Sequence, residues 1–499
     1  MRFLSPEING VHLLPFHPSS SDGGFSVEDH AMVDPAVGTW DDVERLSTES
    51  RVMADAVINH VSSKGRWFRA HLDGDLDRAD FFRVVPASTD MSAVVRPRPG
   101  PPTTTFTRSD GSTADYWTTF SADQVDLDFR SPEVLLAVSE AIIRYAANGA
   151  TAIRLDAVAF IGKDPQTSSV HRPDTHRIVA LLRDCLHEID PGIVLITETN
   201  VPHRDNVAYL GTVERPEAHA IYQFTLAPLV LHALHTGDTE PLTQWASQLE
   251  QRAGTTVMNF LASHDGVGVR PAAGWLDPAQ IAALADRCRL SGGVVNEAAT
   301  PTGTEPYELA ATWRSLCAVG EANDGLPFSD RVVAARIVAG HSVALALAGI
   351  PLLYVHSMAA TENDVGRAEA SGVSRDLNRT RFASPEHYRA ALADDPVGGL
   401  VWPRLREMLG WRQRCDAFHP EAEQRLFPAP PGVVSIERRG DRDRAAVITN
   451  FSADSAQVEV GSGWSEMGTG SRMDSLVTVG AWETIWLEQA AESGVVSGA

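Results

Sequence analysis

A parallel α/β fold, one strand short of an eight-stranded β/α barrel, follows from three features of the sequence. Strand-like apolar runs alternate with helical patterns along most of the chain. Four of those runs end in ionisable residues: ADAVINH (54–60), TAIRLDAV (151–158), IVLITETN (193–200) and VMNFLASHDG (257–266). From about Phe427 the pattern changes to short alternating runs separated by turn residues, which reads as a small antiparallel β domain.

The elements follow in order. Strands are expected at 11–15, 52–57, 152–156, 193–197, 220–224, 256–260 and 350–354. One helix is marked at both ends. Ser131 can cap it, Pro132 suits its first turn, and Glu133 complements its dipole. Val134, Leu135, Val138, Ile142 and Tyr145 follow at helical spacing, and Gly149 can end it. The chain then enters TAIRLDAV, the order of a β/α unit. The most apolar stretch, roughly 337–354, is broken by His341, Ser342, Gly349 and Pro351 and reads as a buried helix and strand rather than a membrane span.

Seven strands make a TIM (β/α)8-type barrel lacking its first strand and helix, with inserted subdomains and a C-terminal antiparallel β domain. The expected division is 1–59 barrel, 60–130 an inserted subdomain, 131–265 barrel, 266–329 a second insertion, 330–424 the barrel end and 425–490 the β domain. The missing unit should precede Val11; without it the edges at Val11 and Ile350 would be unpaired, so either Met1 is a wrongly chosen start or the fold is compromised, with poor solubility expected if the missing unit matters. The last residues, SGVVSGA, read as a frayed tail.

Composition narrows the function. The chain has 499 residues, 43% hydrophobic and 21% charged, with a formal charge of −23. Such a field disfavours nucleic acid and anionic membranes as partners, and any phosphate ligand needs a local arginine cluster. Cys185, Cys288, Cys317 and Cys415 are scattered without a CxxC spacing, and no signal-like segment opens the chain. A cytoplasmic enzyme, monomer or homodimer, is expected.

Parallel strands place their ends on one rim, which would gather Asp55, Asn59, His60, Arg154, Asp156, Glu198, His264 and Asp265. Alone, each motif has a plain structural reading: an ion pair, a helix cap, a core histidine. Together they describe a glycoside-transforming site. Arg154 and Asp156, two apart, share a face of their strand, and an adjacent arginine keeps a carboxylate ionised as a nucleophile requires. A partly desolvated carboxyl at Glu198 can be held protonated as a general acid.

The order Asp/His, Arg-x-Asp, Glu, His-Asp at successive strand ends matches the four conserved regions of glycoside hydrolase family 13, and the chain is identified as a member of this α-amylase superfamily. GVHLLPFHPSSSDGGFSVEDH (10–30), VVRPRPGPP (94–102), YWTTFSADQVDLDF (116–129), LAPLVLHALHTGDTEPL (226–242) and SRDLNRTRF (374–382) resemble its sucrose phosphorylase and glucosylglycerate phosphorylase subfamily. The resemblance implies Asp156 as nucleophile, Glu198 as acid/base and Asp265 as transition-state stabiliser. Asp29, His60, Phe120, Arg154, Phe160, His264 and Arg375 match residues that hold the glucosyl ring. Arg96 and Arg98 in the loop RPRPG, with Tyr307, match phosphate ligands, and guanidinium groups suit phosphate. His356, Ser357, Asn363 and Asp364 look like the glucosylglycerate or sucrose 6′-phosphate branch, and Arg367 or Arg379 could meet an anionic leaving group.

The implied activity is a retaining α-glucoside phosphorylase acting on sucrose, glucosylglycerate or sucrose 6′-phosphate. It would give α-glucose 1-phosphate through a covalent β-glucosyl-enzyme. Its partners are a small-molecule α-glucoside and inorganic phosphate, with no cofactor and no metal. Two alternatives stay open: an α-glucosidase or transglucosylase with the same triad, and an inactive N-terminally truncated relative.

Overall fold

The computed structural model describes residues 4, 6–98, 100–300, 303–320 and 327–490; the expected frayed tail lies outside them. The described chain falls into two compact units. One is built from the residues up to Tyr222 with Glu297–Glu305, the other from Gln223–Asn296 with the residues from Pro306 onward.

The first unit carries five strands of the predicted run: β1 Gly10–Leu13, β2 Arg51–Val57, β3 Ala150–Asp156, β4 Val194–Thr197 and β5 Ala220–Tyr222. They pair in parallel in that order, with Asp55 opposite Arg154, Val57 opposite Asp156, and Leu155 opposite Thr197. β2 is buried from Val52 to Val57, as expected of a strand covered on both faces. Its near-continuous apolar run is the sequence signature of that burial.

The helix ahead of β3 spans Pro132–Ala147, with Val134, Val138, Ile142 and Tyr145 on its buried face. Its start differs in one detail. Ser131 is the N-cap, but its hydroxyl donates to Glu133 Oε2 at 2.7 Å instead of accepting a backbone N–H. The acid at the second helical position competes for the hydroxyl that a backbone donor would otherwise use. At the other end Gly149 takes φ +97, a left-handed turn into β3 that a side chain would strain.

The insertion after β2 is ordered by two short antiparallel ladders, His60–Ser62 with Gln124–Asp126 and Thr103–Thr107 with Thr113–Trp117. Phe68 sits between them, its ring 4.9, 4.8 and 5.1 Å from those of Phe82, Phe106 and Tyr116. Edge-on aromatic packing thus supplies a small core for a segment with little regular structure. Asp123 accepts from Ser20, Ser21, Ser26 and Ser63, which ties the SSSDGGF loop after β1 to this insertion.

The second unit contains β6 Thr256–Asn259 and β7 Ile350–Pro351, parallel and paired through Met258–Ile350 and Asn259–Pro351. The apolar stretch near 337–354 is a buried helix, Asp330–Ala346, followed by β7. Ser329 caps that helix by accepting from Val332 N.

The C-terminal β domain is formed as expected, beginning with Glu423–Leu426. Val433–Arg439, Asp443–Asn450 and Thr484–Ala490 make its antiparallel centre. Val433, Ile448, Val458, Trp464, Val477 and Leu487 fill its core. Buried Trp486 and Thr484 hydrogen-bond Ser342, seating this domain on the Asp330–Ala346 helix.

Candidate active site

In the first unit the strand ends build a carboxylate cluster around one guanidinium. Arg154, 1% exposed, donates through Nη1 to Asp55 Oδ1 and Oδ2, both at 2.7 Å, and to Asp156 Oδ1 at 3.0 Å. Its Nη2 stands 3.6 Å from Glu198 Oε2. Burial works against the charge on Arg154, but Asp55, Asp156 and Glu198 outweigh it and hold its pKa well above the usual arginine value. The guanidinium also lies over the Tyr222 ring at 5.1 Å, and the Tyr222 hydroxyl is 3.2 Å from His12, which reaches Asp55 at 3.1 Å.

The residue after Asp156 completes the arrangement. Ala157 adopts φ +50, a left-handed conformation unusual for a residue with a Cβ, and its N–H donates to Glu198 Oε2 at 2.9 Å. Backbone strain at the end of β3 therefore orients the carboxyl carried by the end of β4.

His60 is 1% exposed, with Nε2 bonded to the Phe25 carbonyl at 2.8 Å. That bond fixes the proton on Nε2 and leaves Nδ1 to accept from Asn59 Nδ2 at 3.1 Å. Burial holds the His60 pKa below its ordinary value against the opposing pull of Asp126. Phe120 packs on the His60 ring at 5.2 Å and on Phe160 at 5.4 Å, so the two aromatic candidates and the histidine form one wall.

Behind that wall lies Lys163, one of two lysines in the chain. Its buried ammonium meets Asp126 at 2.9 Å, Asn59 Oδ1 at 2.7 Å and the Phe160 carbonyl. Burial lowers its pKa and Asp126 opposes the shift. A lysine sidechain here braces Asn59, which in turn orients His60.

The other first-unit candidates are placed less uniformly. Asp29 accepts from Ala31 N at 2.8 Å and lies 3.9 Å from Arg66. Arg96 gives Nε to the Thr119 carbonyl at 3.2 Å, Nη2 to Thr118 at 3.1 Å and Nη1 to Gly100, which makes it a strut of its own loop. Arg98 is partly exposed, 3.9 Å from Asp22.

In the second unit Asp265 sits in a tight turn closed by hydrogen bonds between Ser263 and Gly266, with Gly266 at φ +92. Asn378 Nδ2 donates to the Ser263 and His264 carbonyls at 3.0 and 2.9 Å, and Arg379 Nε to that of His264 at 2.8 Å. The Asp265 carboxylate meets Arg375 Nη1 at 2.8 Å, His264 Nε2 at 3.3 Å and Arg379 Nη2 at 3.4 Å. Arg375 also grips Glu308 at 2.8 Å. Tyr307 precedes Glu308 on the strand Gly303–Ala310, and strand alternation sends it to the opposite face. His356 is buried, stacked on Phe382 at 5.4 Å, with its pKa pushed down to about 4 by burial. Arg367 pairs with Asp376 at 3.1 Å, and Asn363 accepts from Thr312 N at 2.7 Å.

Sequence reasoning missed His12, Tyr222, Lys163 and Glu308. Tyr222 carried a usable signal, since it ends a strand of the series. Glu308 carried none, because an acid inside a strand reads as surface until its arginine is known.

A family model for the α-amylase catalytic domain matches residues 6–272. The chain belongs to the α-amylase family. It is 43% identical to a glucosylglycerate phosphorylase of Allomeiothermus silvanus, over 87% of this chain and 77% of that protein. It is 38% identical to one of Escherichia coli, over 98% and 87%. The crystal structure of a sucrose 6F-phosphate phosphorylase from Thermoanaerobacter thermosaccharolyticum superposes with a TM-score of 0.77 at 23% identity, covering 89% of this chain and 87% of that one. The chain therefore has the α-amylase fold and is an enzyme of the family's glycoside phosphorylase branch. Among the described residues no helix is long and apolar enough to cross a membrane.

Proposed function

We propose that this chain is a retaining α-glucoside phosphorylase that moves a glucosyl unit from a glucosylglycerate- or sucrose-type donor to inorganic phosphate. The observation that carries the reading is the sharing of Arg154 by Asp156 and Glu198, beside relatives that are glucosylglycerate phosphorylases. Two carboxyl groups on one guanidinium suit a retaining pair, for which the separation is about 5 Å.

In the first step Asp156 attacks the anomeric carbon, and the glycosidic bond breaks with its electron pair leaving on oxygen. Glu198 protonates that oxygen. The Ala157 N–H aims the carboxyl. Asp265 stabilises the oxocarbenium-like charge. In the second step phosphate attacks the β-glucosyl-enzyme, any proton it loses goes to Glu198, and Asp156 leaves as carboxylate. Two inversions give α-glucose 1-phosphate. Arg98 is the cation offered to phosphate, with Arg96 bracing its loop.

The commitment of Arg96 to three carbonyls favours a second reading, hydrolysis or transglucosylation with the same carboxylates, because it leaves less cationic charge for phosphate. Incubating the enzyme with candidate α-glucosides, with and without phosphate, separates the two. Phosphorolysis predicts glucose 1-phosphate in proportion to phosphate. Free glucose at the same rate in both arms contradicts it.

A further inference from the structure

Glu308 is 5% exposed on the strand Gly303–Ala310. It accepts from Arg375 Nη2 through both oxygens at 2.8 Å, and from Nε through Oε2 at 3.2 Å. The remaining terminal nitrogen, Nη1, reaches Asp265 Oδ1 at 2.8 Å. Glu308 is itself supported: Asn296 Nδ2 lies 3.5 Å from Oε2, and Ser374 donates to Asn296 Oδ1 at 2.9 Å.

A guanidinium is rigid and planar, so a carboxylate holding its Nε–Nη2 edge fixes the plane and thereby the direction of Nη1. Arg379 Nη2 and His264 Nε2 stand 3.4 and 3.3 Å from Asp265, against 2.8 Å for Arg375 Nη1.

We propose that Glu308 is a positioning residue for glycosyl transfer. It holds Arg375 edge-on so that Nη1 takes one oxygen of Asp265 and the carboxylate keeps the orientation it needs toward the reacting sugar. Without the Glu308 grip on its Nε–Nη2 edge, the Arg375 guanidinium can present that edge to Asp265 and draw both oxygens of the carboxylate away from the developing positive charge. The role rests on reading Asp265 as the transition-state stabiliser. Its expected signature is a fall in turnover with little change in donor binding, since it acts on an interaction made in the transition state.

The test is kcat and KM for phosphorolysis of α-glucosyl fluoride, whose leaving group needs little help from Glu198. Glu308→Gln keeps size and one acceptor but loses the charge and the bidentate grip. It should lower kcat about 10- to 100-fold, the scale of a small misplacement of a reacting group, with KM little changed. Glu308→Asp, which keeps the charge, should recover part of the loss. In an Arg375→Lys background, where no fork remains to be aligned, Glu308→Gln should have little further effect. An unchanged kcat in Glu308→Gln, or an equal effect in both backgrounds, overturns the positioning role alone. A wild-type enzyme that does not turn over the fluoride overturns that role together with the glycosyl-transfer reading.

Discussion

Arg154 and Asp55 form a fully buried ion pair, with one guanidinium nitrogen 2.7 Å from both carboxylate oxygens. This pair joins the interior of β2 to that of β3; the same Nη1 also reaches Asp156, and Nη2 is left facing Glu198. Two charges out of water are tolerated because each is paired and hydrogen-bonded. The same pair therefore belongs both to the sheet interior and to the candidate site.

Replacing Asp55 by Asn keeps the shape but removes a charge that His12 and Arg154 both use. The expected loss is roughly 3–5 kcal/mol of stability, as for breaking a buried pair, together with most of the activity. Urea unfolding and a phosphorolysis assay on the same preparation measure both effects. A stable but inactive variant would assign Asp55 to chemistry alone.

Glu198→Gln should slow transfer from a donor with a poor leaving group by roughly 10²–10⁴-fold, the range of general acid catalysis. α-Glucosyl fluoride, which leaves without protonation, should lose much less in formation of the glucosyl-enzyme. Comparing the two donors in single-turnover experiments checks this. Equal losses would contradict an acid/base role.

Gly266 follows Asp265 at φ +92, where a Cβ would stand 2.1 Å from the Leu309 carbonyl oxygen. Gly266→Ala must therefore shift the turn that carries His264 and Asp265. The expected result is about 1–3 kcal/mol of destabilisation from backbone strain alone, and a drop in kcat from the displaced carboxylate. A variant with wild-type melting temperature and turnover would refute the account of this turn.

Stability should fall with acid between pH 6.5 and 4. His30, His341 and His356 are buried, and burial depresses their pKa values from 6.5 to about 3, 4 and 4. Below pH 6.5 the unfolded chain takes up protons that the folded chain refuses, so stability present above 6.5 is lost as pH falls toward the folded values. For His341 the shift from 6.5 to about 4 corresponds to about 3 kcal/mol. Calorimetry from pH 7 to 4.5 should show a falling midpoint, with a shallower fall in His341→Gln. A flat profile would contradict the burial of these groups as neutral imidazoles.

The barrel strands were legible because strands covered on both faces leave continuous apolar runs, as Val52–Val57 do, and an ionisable end shows where each run stops. The helix at 132–147 was legible from its caps and spacing, although Ser131 turned its hydroxyl to Glu133. The convergence of Asp156 and Glu198 could be expected from their strand ends, but the left-handed Ala157 that orients Glu198 could not, since nothing in Asp-Ala-Val announces positive φ. Arg96 shows the opposite limit. A pair of arginines in a loop looks alike in sequence, and only the surrounding carbonyls of Gly100, Thr118 and Thr119 tell a strut from a more open charge. Glu308 and Lys163 were invisible for the same reason: each acts through a partner distant along the chain, Arg375 and Asp126.

The proposed function stands or falls on double displacement through Asp156 with phosphate as acceptor. Its most direct test is the ¹H NMR spectrum of the first product formed from an α-glucoside in phosphate buffer. The account predicts α-glucose 1-phosphate as the initial anomer, and its absence in Asp156→Asn. β-Glucose 1-phosphate, or free glucose with no phosphate ester, would contradict it.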